Sequence, residues 1–569
     1  MPSADRVSAL GPLGRRAFLK VGAAAGGGLL VGVVLPRLAN AADSTAASVS
    51  DPQAVNLFVA VSSTGRVTVT IPRPEMGQRT RTSLAMLVAE ELDVPWSSVD
   101  VVQADLDTRL GDQYAGGSSS VHASWSLLRQ AGAGARVLLR RAAAKNWDVP
   151  ESECETAEGR VRHARSGRVA SYGALAQAAS RLSLGSETPP LKNASAYRLI
   201  GKRVRQQDVD DITHGRIRFG IDVQVPGMLY AVIERAPEFD ARPVTVDDAA
   251  ARRSPGVKRV EIVDADGLPE FDENSPKPAS GVAVIADSTW AAMRGRKALS
   301  ITWSKGEGAT ESTAAMRERS VALHERAPHW VIRRDGDPDG KLAGAAKVLE
   351  AEYEVPLVAH ATMEPMNCTA KASADGCEVW APTQNPGGVR DAVSRTLGVK
   401  PEQVTVHVMR MGGGFGRRFY SDFAAEAALL SRKAGVPVKV VWTREDDMRH
   451  GFFRPAGVHR LRAGLDASGR PIAWMHALVN ASRGHYLRWK PMPGQELQPG
   501  ELDHDDFPSH FIDDLQLGYS TVASPIPRGQ WRAVEDSATV FVVQGFLDEL
   551  AHAAGRDPLA FRIDLLGTP

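Results

Sequence analysis

Apolar and polar positions change period several times along the chain, and each change marks an element. Residues 55–61 and 66–71 alternate around Ser62-Ser63-Thr64-Gly65, which predicts a hairpin. Residues 82–92 set Leu84, Leu87, Val88 and Leu92 at helical spacing, and a longer helical pattern occupies 124–145. Further on, Thr213-His214-Gly215, Phe219-Gly220-Ile221-Asp222 and Val225-Pro226-Gly227-Met228-Leu229-Tyr230 read as short strands with turn punctuation. Gly281–Ala286 is continuously apolar, the mark of a buried strand, and 288–299 follows as a helix. Residues 306–340, polar and ending in Asp335-Gly336-Asp337-Pro338-Asp339-Gly340, read as a linker. Val404–Val408 predicts one more strand and 421–433 one more helix. The pattern is that of an α/β (α+β mixed) protein, and 569 residues are too many for one core, so the fold is multidomain.

The stretch between that last strand and helix carries the clearest chemistry. Met411-Gly412-Gly413-Gly414-Phe415-Gly416-Arg417-Arg418 combines a backbone able to approach a ligand closely with fixed positive charge, which suits an anionic cofactor. No Gly-Lys-Ser/Thr follows, and Arg417 stands where a dinucleotide fingerprint needs its last glycine. A tight turn between strand and helix is the alternative that the residues alone leave open. A second loop, Gly116-Gly117-Ser118-Ser119-Ser120, opens the long helical pattern; free N–H groups there suit an anion, and ordinary serine capping is the alternative. His360 and Glu364 would share one face of a helix as a metal pair, but no third ligand lies nearby and Pro365 closes the segment, which favours a structural or supporting role.

Composition narrows the function classes. Lys+Arg total 68 and Asp+Glu 67, so no net field attracts nucleic acid or an anionic membrane, and the chain should not be retained on heparin at moderate salt. Three cysteines, Cys154, Cys368 and Cys377, are too few for a four-thiolate iron–sulfur cluster, so electrons taken up here must leave through another chain. At the N-terminus, Gly14-Arg15-Arg16-Ala17-Phe18-Leu19-Lys20 precedes an apolar run over 21–35 and the small residues Ala39-Asn40-Ala41. This is the order of a signal peptide over 1–41, too short for a comfortable membrane span, and its paired arginines resemble a twin-arginine signal. The mature chain is expected to have no transmembrane span and to be periplasmic, membrane-associated only through a partner.

The segment 411–418 resembles the Gly-Gly-Gly-Phe-Gly signature of the molybdenum hydroxylases, the xanthine dehydrogenase and aldehyde oxidoreductase family, and the surrounding text is similar to its isoquinoline-type large subunits. The resemblance covers nearly the whole chain. It implies a molybdopterin-binding large subunit with part of the second cofactor-binding half at 42–196, a small α/β hammerhead domain at 197–305, and the first cofactor-binding half at 341–569. The cofactor implied is molybdenum-molybdopterin cytosine dinucleotide, with the metal held by the pterin dithiolene and no protein metal ligand.

The resemblance also distributes roles. Glu75-Met76-Gly77-Gln78 matches a pterin-gripping loop, with Gly77 and Gln78 as cofactor contacts and Arg79 where the family has a further glycine. Gly117, Ser118 and Ser120 match a loop on the phosphate-bearing part of the cofactor. Gly412, Gly413, Gly414, Phe415, Gly416 and Arg417 form the central contact, with the Phe415 N–H reaching the metal centre, and Gln384 orients a neighbouring turn. Gly529-Gln530-Trp531-Arg532 matches a loop whose arginine, here Arg532, borders the active site and the cofactor. Phe419 replaces the substrate-binding glutamate of xanthine-type members, and Phe419 and Trp531 suit stacking on a flat heteroaromatic ring, core packing being the alternative.

The implied reaction is hydroxylation of an N-heteroaromatic compound such as isoquinoline next to the ring nitrogen, with water as oxygen source. Electrons would pass to a small subunit carrying [2Fe–2S] clusters and on to an acceptor such as a cytochrome. Aldehyde oxidation, a non-catalytic remnant and a metal-free binding protein are the alternatives. The family's general base sits in a Gly-Glu-Pro-Gly segment that does not occur before Pro569, so the catalytic base is expected to be missing from this chain and the chain to be truncated.

Overall fold

The computed structural model describes residues 53–269, 276–487 and 501–567. The export signal expected over 1–41 lies outside the described residues. Two compact units emerge. The first holds the chain up to Val223 with Trp380–Gly387 and Thr405–Gly412, and the second holds Gln224–Val379, Gly388–Val404 and the chain from Gly413 onward.

The first unit begins with a four-stranded sheet, Gln53–Asn56, Val59–Val61, Val67–Ile71 and Val99–Gln103 in that order. The predicted hairpin forms, but its first arm is two strands, because the Asn56 side chain accepts the Phe58 N–H at 2.9 Å and turns the backbone. Val67, Val69 and Ile71 point inward and the threonines between them are half-buried, the alternation of a one-sided sheet. Val67–Ile71 runs parallel to Val99–Gln103, which requires a crossover, and helix α1 (Thr80–Leu92) supplies it. Helix α2 (Ser120–Trp147) packs on α1 closely enough that a Cβ on Gly132 would stand 2.5 Å from the Val88 carbonyl oxygen. Buried Arg129 and Glu91 join the two helices at 2.7 Å. The late segments are fixed to the same unit, with Leu106 N–H on the Val406 carbonyl at 3.0 Å and the His407 ring on Asp105 at 2.8 Å and stacked on Trp380 at 5.1 Å.

In the second unit, strands Val257–Val263, Gly281–Ala286, Leu229–Arg235, Val438–Val441 and Asn367–Ser373 lie side by side in that order. Gly281–Ala286 is buried along its whole length, as its unbroken apolar run requires. Helix α3 (Asp422–Ala434) buries Phe423, Ala424, Ala427 and Ala428 and ends at Gly435, whose φ of 72° is the usual left-handed stop. A second sheet orders Trp330–Asp335, Leu515–Thr521, Pro471–Asn480, Gly457–Leu465 and Lys347–Val355, with helix α4 (Asp536–Ala553) over it and Phe546 against Trp474 at 5.3 Å.

Two readings of the pattern change here. Thr213 ends a short helix, Val209–Thr213, whose first turn carries Asp210 and Asp211, and Phe219 leads into a single 3-10 turn. The polar stretch 306–340 carries helix Thr313–His324, strand Trp330–Asp335 and helix Pro338–Ala343. Its strand is the edge of the five-stranded sheet, and an edge strand needs few apolar positions.

Candidate functional site

The chain passes from the first unit back into the second inside the glycine run, at Gly413. Gly413, Phe415 and Gly416 all take left-handed backbone, with φ of 96°, 53° and 103°. That conformation costs a phenylalanine roughly 1 kcal/mol, so the surroundings must impose the shape of the loop. Arg418 imposes part of it. Its Nε donates to the Gly413 carbonyl at 2.9 Å, while one terminal nitrogen donates to the Glu364 carbonyl at 2.7 Å and pairs with the Glu364 carboxylate at 3.1 Å. Asn367 steadies the other Glu364 oxygen at 2.9 Å.

Arg417 turns the opposite way, bidentate on Asp422 at 2.9 and 2.7 Å, at the first turn of α3. Its guanidinium lies between Trp442 and Phe452, with Arg235 on Trp442 as well and Tyr420 against Phe452. The two arginines therefore do not stand in solvent as positive charge for a ligand. Both are buried and neutralised internally, burial pulling the Arg418 pKa down to about 10. For Arg417 burial acts downward too, but the attraction of Asp422 outweighs it and the pKa ends above its usual value.

Gln530 sits directly on Gly416, where a Cβ would meet the Gln530 carbonyl oxygen at 2.0 Å. That carbonyl accepts from His360 Nε2 at 2.7 Å, and the Gln530 N–H donates to the Tyr420 hydroxyl at 2.8 Å. Trp531 is half-buried, its indole N–H on the Ala359 carbonyl at 3.2 Å and the Arg454 guanidinium over its ring. Phe419 is half-buried, edge-on to Tyr420, and Arg532 is exposed. His360 and Glu364 thus do not form a metal pair, since the segment is not helical and each side chain braces a different loop. No pattern in the sequence marks Tyr420 or gives Gln530 a role of its own. The signal available was Gly529, whose Cβ would lie 2.5 Å from the Tyr420 hydroxyl.

Burial holds the His360 pKa down to about 3. The folded imidazole stays neutral while the unfolded one takes a proton below its ordinary value of about 6.5, so wild-type stability is lost as pH falls from there toward 3. Between pH 7.5 and pH 5, the stability difference between wild type and His360→Gln should therefore move toward the variant by about 2 kcal/mol. Urea titrations at the two pH values measure it, and a constant difference would contradict it.

The first unit presents two loops. Glu75 closes the start of α1 by accepting the N–H groups of Gly77, Arg79 and Arg81 at 2.7, 3.2 and 2.9 Å. Gln78 stands exposed between Gly77 and Arg79, whose φ values are 97° and 64°. Arg79 thus takes a left-handed backbone, the conformation that favours glycine. The Met411 N–H reaches the Glu75 carbonyl at 3.5 Å, which brings Gly412 into the same unit. In the second loop Gly117 and Ser118 are left-handed and exposed, Ser120 is buried, and α2 starts without a side-chain cap. Ser119 donates instead to the Gly116 carbonyl at 2.9 Å, so ordinary serine capping is not what this loop does.

Gln384 pins that loop from below. Its Nε2 donates to the Ala115 carbonyl and its own carbonyl accepts the Ala115 N–H, both at 2.8 Å. Gln384→Ala leaves a buried carbonyl unpaired, a loss of about 1–3 kcal/mol, and should lower the content of a cofactor held on this loop several-fold with only a small fall in Tm. Unchanged cofactor content would show that Gln384 does not shape the loop for it.

The family description "Molybdopterin cofactor-binding domain" matches residues 34–223 and, in a second form, residues 323–565. The chain is 31% identical to isoquinoline 1-oxidoreductase subunit beta of Brevundimonas diminuta, covering 98% of this chain and 75% of that one. The chain belongs to the molybdenum hydroxylase large-subunit family. It is equally similar, at 31% over 97% of its length and 72% of the relative's, to the membrane-bound aldehyde dehydrogenase [pyrroloquinoline-quinone] of Gluconacetobacter polyoxogenes. The fold is like that of CO dehydrogenase from Oligotropha carboxidovorans, with TM-score 0.50 and 18% identity over 64% of this chain and 50% of that chain. The chain thus spans about half the length of that solved structure.

The residues present fit the cofactor of this family. At Gly77 and Gly117 a Cβ would meet nothing within 4 Å, so the backbone is open to close approach by a ligand, and both positions are strained for any side chain. The donors exposed on these loops, the Gln78 amide, the Arg79 guanidinium and the Ser118 hydroxyl among them, are groups that bind phosphate. Among the described residues the three cysteines are buried, and burial raises each of their pKa values, to about 12 for Cys377, so none is an available thiolate ligand. No described helix is long and apolar enough to cross a membrane.

Proposed function

We propose that this chain is the cofactor-binding large subunit of an oxidoreductase that hydroxylates N-heteroaromatic compounds such as isoquinoline next to the ring nitrogen, with water as the oxygen source. The observation that carries the reading is that Phe419 and Trp531 are both half-buried, so neither is fully absorbed into the core. Flat rings stack on such side chains without needing a charge partner. The bound cofactor supplies the two-electron oxidation and oxygen transfer. In the first unit the loops at Gly77-Gln78 and Gly117-Ser118-Ser120 and Gly412 are proposed as cofactor contacts; in the second, 413–416 are proposed as cofactor contacts, Trp531 and Phe419 as the surfaces on which a ring stacks, and the exposed Arg532 guanidinium as a polar neighbour of that ring.

The cofactor is proposed to be the cytosine dinucleotide form. Electrons leave to a small [2Fe–2S] subunit and then to an acceptor such as a cytochrome, in keeping with a relative that is itself a subunit beta. The twin-arginine-like start supports export to the periplasm. The divisions at 42–196, 197–305 and 341–569 are proposed as part of the second cofactor half, a hammerhead domain and the first cofactor half.

Aldehyde oxidation is the second reading, favoured by the equal identity to an aldehyde dehydrogenase. A panel of isoquinoline, related N-heteroaromatics and simple aldehydes, run with the enzyme purified together with its iron–sulfur partner, separates them. The proposal expects kcat/KM at least about tenfold higher for the heteroaromatics, a difference of about 1.4 kcal/mol in transition-state binding. The reverse order would replace it with the aldehyde reading.

A further inference from the structure

Gln530 is held by side chains rather than by a sheet or a helix. Its N–H donates to the Tyr420 hydroxyl at 2.8 Å, the same hydroxyl donates to its Oε1, and its carbonyl accepts from His360 Nε2 at 2.7 Å. Tyr420 and His360 are both buried. Room for this arrangement comes from two glycines. A Cβ on Gly529 would stand 2.5 Å from the Tyr420 hydroxyl, and one on Gly416 would stand 2.0 Å from the Gln530 carbonyl oxygen. Trp531 follows, tied by its indole N–H to the carbonyl of Ala359, the residue before His360, and Ala533 then turns left-handed with φ of 56°.

A loop residue on a protein surface ordinarily gives its N–H and carbonyl to water. Here both are taken by buried side chains that come from different parts of the chain, so the peptide has one orientation available to it. The consequence falls on its neighbours, because fixing the Gln530 main chain fixes the direction in which Trp531 leaves it. Arg417 and the Phe452 backbone are the other polar groups acting on His360, and burial keeps its ring neutral, so the donor to Gln530 persists across the working pH range.

We propose that Tyr420 and His360 are positioning residues that hold Gln530 so that Trp531 and Arg532 present one fixed face to the substrate ring. Neither touches the substrate in this account. The inference rests on the reading above that Trp531 faces the substrate, and it makes the pair a determinant of binding for flat substrates. Holding an aromatic plane in its bound orientation removes the ordering that binding would otherwise have to supply.

The test uses the full chain with its partner subunit, as wild type, Tyr420→Phe, His360→Leu and His360→Gln. Amide hydrogen exchange is read in the peptide covering 530–532, on cofactor-free protein, and steady-state kinetics are read with isoquinoline on the loaded enzyme. Y420F, which removes both hydroxyl hydrogen bonds to Gln530, and H360L, which removes the one to its carbonyl, should each speed exchange by about tenfold or more and raise KM by about tenfold, with kcat and molybdenum content within about twofold of wild type. H360Q keeps a donor in the same place and should return both readouts toward wild type.

Unchanged exchange and KM in Y420F would overturn the proposal. A fall in kcat and molybdenum content with KM unchanged would also overturn it, because the pair would then support the cofactor alone. If wild type turns over no N-heteroaromatic substrate, the functional reading fails by itself, and the exchange measurement still decides the positioning: faster exchange confined to 530–532 supports it and unchanged exchange overturns it.

Discussion

Gly416→Ala is expected to cost about 3 kcal/mol or more and to remove most of the bound molybdenum. Two effects add at this position. The φ of 103° is unfavourable for any L side chain, and the new methyl would meet the Gln530 carbonyl oxygen at 2.0 Å, a backbone atom that His360 already holds. Relief would require the 413–418 loop to part from the 529–532 loop. Gly435→Ala is the control, since its φ of 72° carries a similar conformational penalty while its Cβ meets nothing within 4 Å. The control should lose about 1–2 kcal/mol and keep its cofactor. Thermal unfolding and metal analysis on both variants check this, and equal losses would mean that backbone strain alone, rather than contact with Gln530, limits the loop.

Arg418→Met should be nearly as damaging, by about 3–5 kcal/mol, because it leaves the Glu364 carboxylate buried without its cation. It also frees the Gly413 carbonyl that Arg418 Nε holds at 2.9 Å, so the first residue of the loop in the second unit loses its anchor. Glu364→Gln alone strands the guanidinium in the same way. The double variant Arg418→Met with Glu364→Gln removes both charges and should recover a large part of the stability, with an interaction energy of about 2 kcal/mol or more. Cofactor content should not recover, since the Gly413 carbonyl is still unanchored. Additive losses in stability would show that the pair is not coupled, and full recovery of metal would show that the anchor at Gly413 is dispensable.

What was legible in the sequence follows from how local each feature is. Gly281–Ala286 and Val404–Val408 are visible because an unbroken or alternating apolar run needs no partner to be recognised. The helix beyond the glycine loop and the two loops of the first unit are visible for the same reason: small residues stand where a pattern changes. Arg417 and Arg418 read from the sequence as fixed positive charge suited to an anionic ligand, because a sequence gives residue type but not the carboxylate that folding brings to it. Glu364 lies far back in the chain, in a segment whose His-to-Glu spacing suggested a different chemistry. Residues 213–215 resemble a strand in sequence because glycine punctuates helix ends and strand ends alike, and 306–340 resembles a linker because an edge strand carries as many polar residues as a loop. Apart from Gly529, the anchoring of Gln530 has no local signature, since its three supports come from Tyr420, His360 and Gly416.

The most direct measurement of the central claim is the molybdenum and cytidine monophosphate content of the chain, purified from a host that makes the dinucleotide cofactor, for wild type and Gly416→Ala side by side. The account predicts close to one of each per wild-type chain and little of either in the variant. A folded wild-type chain that carries neither would contradict it, and wild-type content in a folded Gly416→Ala would show that the cofactor is not held by this loop.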